Sequence, residues 1–266
     1  MARRSIADCR VLITGASSGV GRELSLAFAR RGARLLLTAR RAELLDAVVE
    51  ECASAGGSAH CLAGDVTDAA HQDALRQHVH ASWGGLDILV NNAGVSALER
   101  FVDSDDATLR AIMEVNFFAP TGLTRRFLSL LAAGNRPAVV NIGSILGHRG
   151  APLNSEYCAS KFALRGWSES LRAELAPRGI DVLLVSPGTI ETEFFDRLLV
   201  KRSEPPWGVA KGIPAAAVAE QTVRALERGR REIFPNWRGR ALVVANRLFP
   251  GMVDRVMARL ATRRQD

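Results

Sequence analysis

A strand that ends in a glycine turn and runs straight into a helix constrains this chain more than any other feature. Residues 9–14 read Cys-Arg-Val-Leu-Ile-Thr, a short apolar run without alternation. Such runs fit strands buried on both faces. Gly15, Ala16, Ser17, Ser18, Gly19, Val20 and Gly21 follow, and residues 18–31 have helical spacing with Leu24, Phe28 and Ala29 turned toward a core. Gly15 can leave the strand with no Cβ penalty, Gly19 lets the backbone approach a phosphate, and Gly21 lets the helix sit near the sheet. The free N–H groups at the start of such a helix face an anion. The glycine spacing differs from the commonest dinucleotide fingerprint, so its place between strand and helix carries the reading.

The same alternation continues. Further strands are expected at 34–39, 59–63, 88–90, 138–142 and 181–185, and further helices at 43–55, 69–83, about 105–133 and 156–176. This order implies an α/β fold: a doubly wound, mostly parallel Rossmann-like sheet with helices on both faces. Ligands in such folds collect beyond the carboxyl ends of the strands. The chain has 266 residues, 47% of them hydrophobic, and no linker rich in Pro, Gly and Ser divides it. Residues 1–266 are therefore read as one domain. No stretch approaches the roughly 20 apolar residues that span a bilayer, and the first residues lack the apolar run of a secretion signal. The expected location is cytoplasmic. The four cysteines form no Cys-x-x-Cys pair, and His78 and His80 do not share a helix face, so no metal site is expected.

The end of the second strand bears on the cofactor. A site for NAD places an acid there to hold the ribose hydroxyls. Here Thr38, Ala39, Arg40 and Arg41 stand instead. Arg40, with Arg41 beside it, suits a 2′-phosphate through charge-assisted bonds, which points to NADP(H). After the third strand, Asp65 can accept from an adenine amino group while Val66 packs by the ring; a turn-capping role for Asp65 is equally open. Asn91, Asn92, Ala93 and Gly94 end the fourth strand with short groups that let a cofactor cross the sheet edge, although one asparagine can instead stitch neighbouring loops.

Tyr157 and Lys161 are four residues apart, on one helix face. An ammonium beside a phenol favours phenolate. Ser144 follows the fifth strand and can reach the same crevice. Pro120 has no N–H to give the carbonyl of Asn116, four residues back, so that carbonyl is free to hold a water leading toward Lys161. Taken singly, each has a structural alternative: a snorkelling lysine, a capping serine, a proline kink.

Taken together, the residues from Thr14 to Gly21, Asn91 to Gly94, Asn116, Ser144, Tyr157 to Lys161 and Pro187-Gly188 resemble the short-chain dehydrogenase/reductase family, in its NADP(H)-preferring form. They occur in the family's order from residue 10 to about 192. The resemblance implies a catalytic tetrad of Asn116, Ser144, Tyr157 and Lys161. Tyr157 exchanges the proton, Ser144 positions the oxygen, Lys161 lowers the tyrosine pKa and binds ribose, and Asn116 holds a relay water. It implies pro-S hydride transfer, with Pro187, Gly188, Ile190 and Thr192 near the nicotinamide. A substrate loop is expected at about 193–213, covered by Phe194, Phe195, Leu198, Leu199 and Trp207, with Leu146, His148 and Leu153 as further pocket candidates. The implied substrate is a ketone or secondary alcohol, lipophilic in character; a β-ketoacyl thioester reductase and a non-catalytic dinucleotide sensor are the alternatives. A homodimer or homotetramer, built through the helices around 105–133 and 156–176, is the implied assembly.

The formal charge is +7, and residues 224–266, with eleven arginines and four acids, hold all of it. Segment 233–264 reads as basic and amphipathic, broken at Pro250-Gly251. It can pack on the protein, contact a membrane surface peripherally, or remain a solvated basic face. Nucleic acid is not an expected partner, because the basic tail is its only support.

Overall fold

Short apolar strands that bury both faces need helices above and below them, and that requirement sets the architecture. The structure, a computed structural model, describes residues 4–204 and 212–262. In chain order the elements are β1 (Arg10–Thr14), α1 (Gly19–Ala29), β2 (Arg34–Thr38), α2 (Ala42–Ser54), β3 (Ser58–Cys61), α3 (Ala69–Trp83) and β4 (Ile88–Asn91). Then come α4 (Asp106–Met113), α5 (Ala119–Ala132), β5 (Ala138–Ile142), α6 (Ser155–Leu175) and β6 (Asp181–Val185). The remainder is β7 (Ile190–Glu191), β8 (Ile213–Pro214), α7 (Ala215–Glu227), β9 (Glu232–Ile233), α8 (Trp237–Leu248) and α9 (Pro250–Thr262). The main sheet is parallel, in the order β3-β2-β1-β4-β5-β6-β9, and β7 and β8 form a separate parallel pair.

Side chains alternate across the central strands, so β1, β2, β4, β5 and β6 each feed two cores. Val11, Ile13, Leu35, Leu37 and Val140 meet Leu24 and Phe28 of α1 and Val223 of α7 on one face. Leu12, Leu36, Leu89 and Val139 meet Leu75 of α3 and Phe127 of α5 on the other. The chain order reverses between β1 and β4, which opens a crevice beyond their carboxyl ends, where such folds place ligands.

Two expectations about elements are corrected. The helix expected over 105–133 is interrupted: residues Glu114–Phe118 form a π-turn in which the N–H of Ala119 bonds the carbonyl of Glu114. Pro120, inside the first turn of α5, cannot supply the ordinary bond to Asn116, and the wider turn accommodates that loss. A seventh strand, β9, extends the sheet; two residues are too short to show a period. The C-terminal segment divides where Pro250-Gly251 leads one to expect, between α8 and α9, and β9 stands at its start.

Candidate active site

The glycine turn is built by contact rather than by flexibility alone. Gly15 has φ +65°, and a Cβ there would lie 2.8 Å from the Cα of Ala93. Asn92 donates from Nδ2 to the carbonyls of Thr14 (2.9 Å) and Gly15 (3.1 Å), so this is the asparagine side chain that ties the ends of β1 and β4 together. Asn91 turns instead to Thr124 and Asn141 in the interior. A Cβ on Gly21 would lie 2.1 Å from the carbonyl oxygen of Gly15 and 2.5 Å from Asn92 Nδ2. Gly21 thus admits the neighbouring loops more than the sheet. Gly21→Ala is expected to destabilise the fold by about 1–3 kcal/mol, as overpacking does. A thermal unfolding midpoint that falls by several degrees checks this; an unchanged midpoint would mean that the turn relaxes freely.

The start of α1 fits a phosphate. Its N-cap, Ser18, makes no side-chain cap, and no acidic residue occupies the first turn. The hydroxyls of Ser17 and Ser18 instead accept from Arg41 Nη2, each at 2.9 Å. The helix N–H groups and a guanidinium therefore meet at one place. Arg40 and Arg41 line one cavity of about 970 Å³ together with Gly15, Ser17, Ser18, Gly19 and Val20. Asp65, Val66, Asn92, Ala93 and Gly94 line it as well. Asp65 Oδ1 accepts from Thr67 N (2.9 Å) and Thr67 Oγ1 (2.7 Å). Burial opposes its charge, but those bonds and the neighbouring Arg40 hold the carboxyl below its ordinary pKa.

The cavity continues to the other group of candidates. Ser144 leaves β5, caps a short 3₁₀ turn by accepting from Leu146 N (3.1 Å), and hydrogen-bonds Tyr157. Tyr157 and Lys161 share a face of α6, with Lys161 Nζ 5.5 Å from the tyrosine ring centroid. Lys161 Nζ donates to the carbonyl of Ile142 at 2.9 Å. Burial pushes the Tyr157 hydroxyl above its ordinary pKa, and the Ser144 hydrogen bond draws it partly back. Burial also lowers Lys161 to about 8.

Asn116 lies in the π-turn, behind the cavity wall rather than among its lining residues. Its Oδ1 accepts from Val95 N, and its Nδ2 donates to Val95 O and to Ser160 Oγ, each at 2.9 Å. It fixes the strip from Gly94 to Val95 against α6. A Cβ on Gly94 would stand 3.3 Å from Asn116 Oδ1 and 3.7 Å from Lys161 Nζ, so the three groups converge.

Pro187, Gly188, Ile190 and Thr192 line the same cavity, with Leu146, Phe194 and Phe195. The Thr192 methyl group comes within 3.4 Å of a Cβ placed on Gly19, which joins this loop to the glycine turn. Other pocket candidates fall elsewhere. His148 is buried against Ser186 (3.0 Å) and Glu232 (3.2 Å), and neither it nor Leu153, Leu198 and Leu199 lines the cavity. Trp207 lies outside the described residues. Sequence reasoning missed Val115, Asn154, Arg149 and Asn236 in the lining, and it did not place Leu242, Met257 and Leu260 there. Their approach depends on contacts between distant segments, so no local signal marks them. Among the described residues, no group of three His, Cys, Asp or Glu side chains is placed to hold a metal, and no helix is long and apolar enough to cross a membrane.

Comparison with known proteins gives consistent results. The family model for short chain dehydrogenases matches residues 10–202. The hydroxysteroid 11-beta-dehydrogenase 1-like protein B of Xenopus laevis is 35% identical over 97% of this chain and 88% of its own length. The uncharacterized oxidoreductase YxnA of Bacillus subtilis (strain 168) is 31% identical over 97% of this chain and 73% of its own. A solved short-chain dehydrogenase from Streptomyces avermitilis superposes with a TM-score of 0.79 at 32% identity, covering 96% of both chains. A short chain dehydrogenase/reductase from Burkholderia phymatum, solved in complex with NAD, shares the fold with a TM-score of 0.84 at 24% identity, over 94% of this chain and 96% of that one. The chain belongs to the short-chain dehydrogenase/reductase family of oxidoreductases.

Proposed function

We propose that this chain is an NADP(H)-dependent oxidoreductase, one domain throughout, that interconverts a lipophilic ketone and its secondary alcohol. The observation that carries the reading is the meeting of Ser144, Tyr157 and Lys161 in the cavity that also reaches the glycine turn and Arg40-Arg41. When bound, the nicotinamide supplies or accepts the hydride. Tyr157 gives its proton to the carbonyl oxygen during reduction and takes it back during alcohol oxidation. Ser144 holds the same oxygen beside the phenol. Lys161 is charged below its pKa of about 8 and there favours the phenolate that remains when Tyr157 gives up its proton. Asn116 holds Gly94 and Val95 in place through its side chain, and its carbonyl, which Pro120 cannot cap, serves the relay water.

Arg41, held by Ser17 and Ser18, and Arg40, beside Asp65, form the 2′-phosphate site. Loss of a charged hydrogen-bond partner is worth about 1.5–3 kcal/mol, or roughly ten- to a hundredfold. Arg40→Ala and Arg41→Ala are each expected to lower kcat/KM with NADPH by that factor and with NADH far less. Equal losses with the two cofactors would refute the assignment.

Apolar side chains from Leu146, Phe194, Phe195, Leu242, Met257 and Leu260 favour a lipophilic substrate, and the name of the Xenopus relative makes steroid ketones the first to try. Arg149, Arg197 and Arg238 in the same lining favour a β-ketoacyl thioester as the second reading. A panel of steroid ketones, long-chain ketones and β-ketoacyl thioesters, followed by cofactor absorbance, tests both; no turnover of any carbonyl would remove both. Exposed Phe118 and Phe162 support assembly into a homodimer or homotetramer through α5 and α6. The free cysteines Cys9, Cys52, Cys61 and Cys158 fit the reducing cytoplasm. The reading extends to peripheral membrane contact by segment 233–264.

A further inference from the structure

Helices α8 and α9 pack on one another and have two chemically distinct sides. On α8 the inward positions are Gly239, Leu242 and Asn246, spaced three and four residues apart. A Cβ on Gly239 would lie 2.7 Å from Ile145, Leu242 lines the substrate cavity, and Asn246 Nδ2 donates to the carbonyl of His148. On α9 the inward positions are Val253, Met257 and Leu260. Val253 is buried, and the other two line the cavity. Arg149 pins the pair to the loop after β5, donating from Nη1 to Asn246 (3.0 Å) and to Asp254 (2.6 Å).

The outward side carries Trp237, Val244 and Leu248 on α8, seven and four residues apart, then Phe249, and Met252 and Val256 on α9. All six are between 45% and 74% exposed. Arg240, Arg247 and Arg255 are exposed among them. Residues 237–262 hold five arginines and one acid, and that acid, Asp254, is engaged by Arg149. Six large apolar side chains exposed on one helix pair point to an interaction site. The charge distinguishes its occupant. In a symmetric contact with a second copy, the same arginines would face each other across the patch. An anionic lipid surface satisfies both the apolar side chains and the arginines, in the manner of helices that lie in the plane of a membrane interface.

We infer that the outer face of α8 and α9 docks on an anionic lipid bilayer, and that the cavity on their inner face receives its carbonyl substrate from that bilayer. Docking sets Trp237, Leu248, Phe249 and Met252 among the acyl chains and the arginines among the headgroups. The layer between bilayer and cavity is then only one helix pair thick. The second half of the inference rests on the proposed reduction of a lipophilic carbonyl; the docking itself does not.

The test uses the full chain and two kinds of vesicle, phosphatidylcholine alone and phosphatidylcholine with phosphatidylserine. The expected result is flotation at least about tenfold greater with the anionic vesicles, weakening as salt screens the arginines. Two variants probe the face: Arg240→Glu with Arg247→Glu and Arg255→Glu, and Leu248→Ser with Phe249→Ser and Met252→Ser. Each should lose flotation while reducing a water-soluble ketone at the parent rate, which shows that it is folded. Each should also reduce a lipophilic ketone supplied in vesicles about tenfold more slowly than the parent. Negligible flotation of the parent on both vesicles overturns the docking, as does flotation of the variants at the parent level. A parent oligomer that the serine variant splits, with no vesicle binding, assigns the face to a second copy and also overturns it. Vesicle binding by a parent that reduces no carbonyl at all upholds the docking and strikes the carbonyl-reductase reading instead.

Discussion

Tyr157→Phe is expected to lower kcat about a thousandfold, within the range that a positioned proton donor contributes, and to leave NADPH binding nearly unchanged. The substitution deletes one atom. The ring stays in α6, packed 6.0 Å from the centroid of Phe194. Ser144 loses the phenol as a partner but keeps the N–H of Leu146, so no buried hydroxyl is orphaned there. Arg41 and the start of α1, proposed above to meet the cofactor phosphates, make no bond to Tyr157 that the substitution would remove. What disappears is the proton itself. Burial keeps that proton on the phenol well beyond neutral pH, so Tyr157 enters a reduction as an acid rather than as a phenolate. Single-turnover kinetics with NADPH, beside a fluorescence titration of the cofactor, separate the two effects. Undiminished turnover would end the assignment of Tyr157 as proton donor.

Much of this site was legible because its signals are local. Tyr157 and Lys161 are one helical turn apart, Ser144 follows an apolar strand, and Gly15 stands where a strand must turn; each needs only its near neighbours to be read. Other parts were not, because their meaning lies in contacts between distant residues. Arg40 and Arg41 both follow the strand, but that Arg41 is held in place depends on Ser17 and Ser18, some two dozen residues earlier. Gly21 suggests helix–sheet packing by its place at the helix start, and the atoms a side chain there would meet belong to Gly15 and Asn92. His148 follows Ser144 closely in sequence but turns inward to Ser186 and Glu232. The cavity wall formed by Leu242, Met257 and Leu260 comes from about a hundred residues or more beyond Leu146, so helical periodicity could show that these residues share a buried side without showing what they cover.

Lys161→Met is expected to remove most of the activity and yet yield a protein at least as stable as the parent near neutral pH. Lys161 is 4% exposed, and burial lowers its pKa from an ordinary 10.5 to about 8. The unfolded chain therefore keeps this proton up to a higher pH than the folded chain does. Below pH 8 both states are charged, and the folded state bears the full penalty of the buried ammonium, about 3 kcal/mol for a shift of this size. Between 8 and 10.5 the folded state sheds the proton first, so the parent gains stability as pH rises through that window. Methionine fills the space of the lysine stem without a charge. It forfeits the hydrogen bond to Ile142 O, worth about 1 kcal/mol, which is less than the penalty it relieves. Thermal unfolding of parent and variant across pH 7 to 10.5 should show the variant ahead at the lower end and its lead vanishing at the upper end. A difference that stays constant with pH would mean that the buried ammonium carries no such penalty. The same variant removes the charge beside the phenol, and turnover should fall by at least about a hundredfold. A stability that rises while activity collapses would separate this lysine from any merely structural role, because a structural lysine would lose both together.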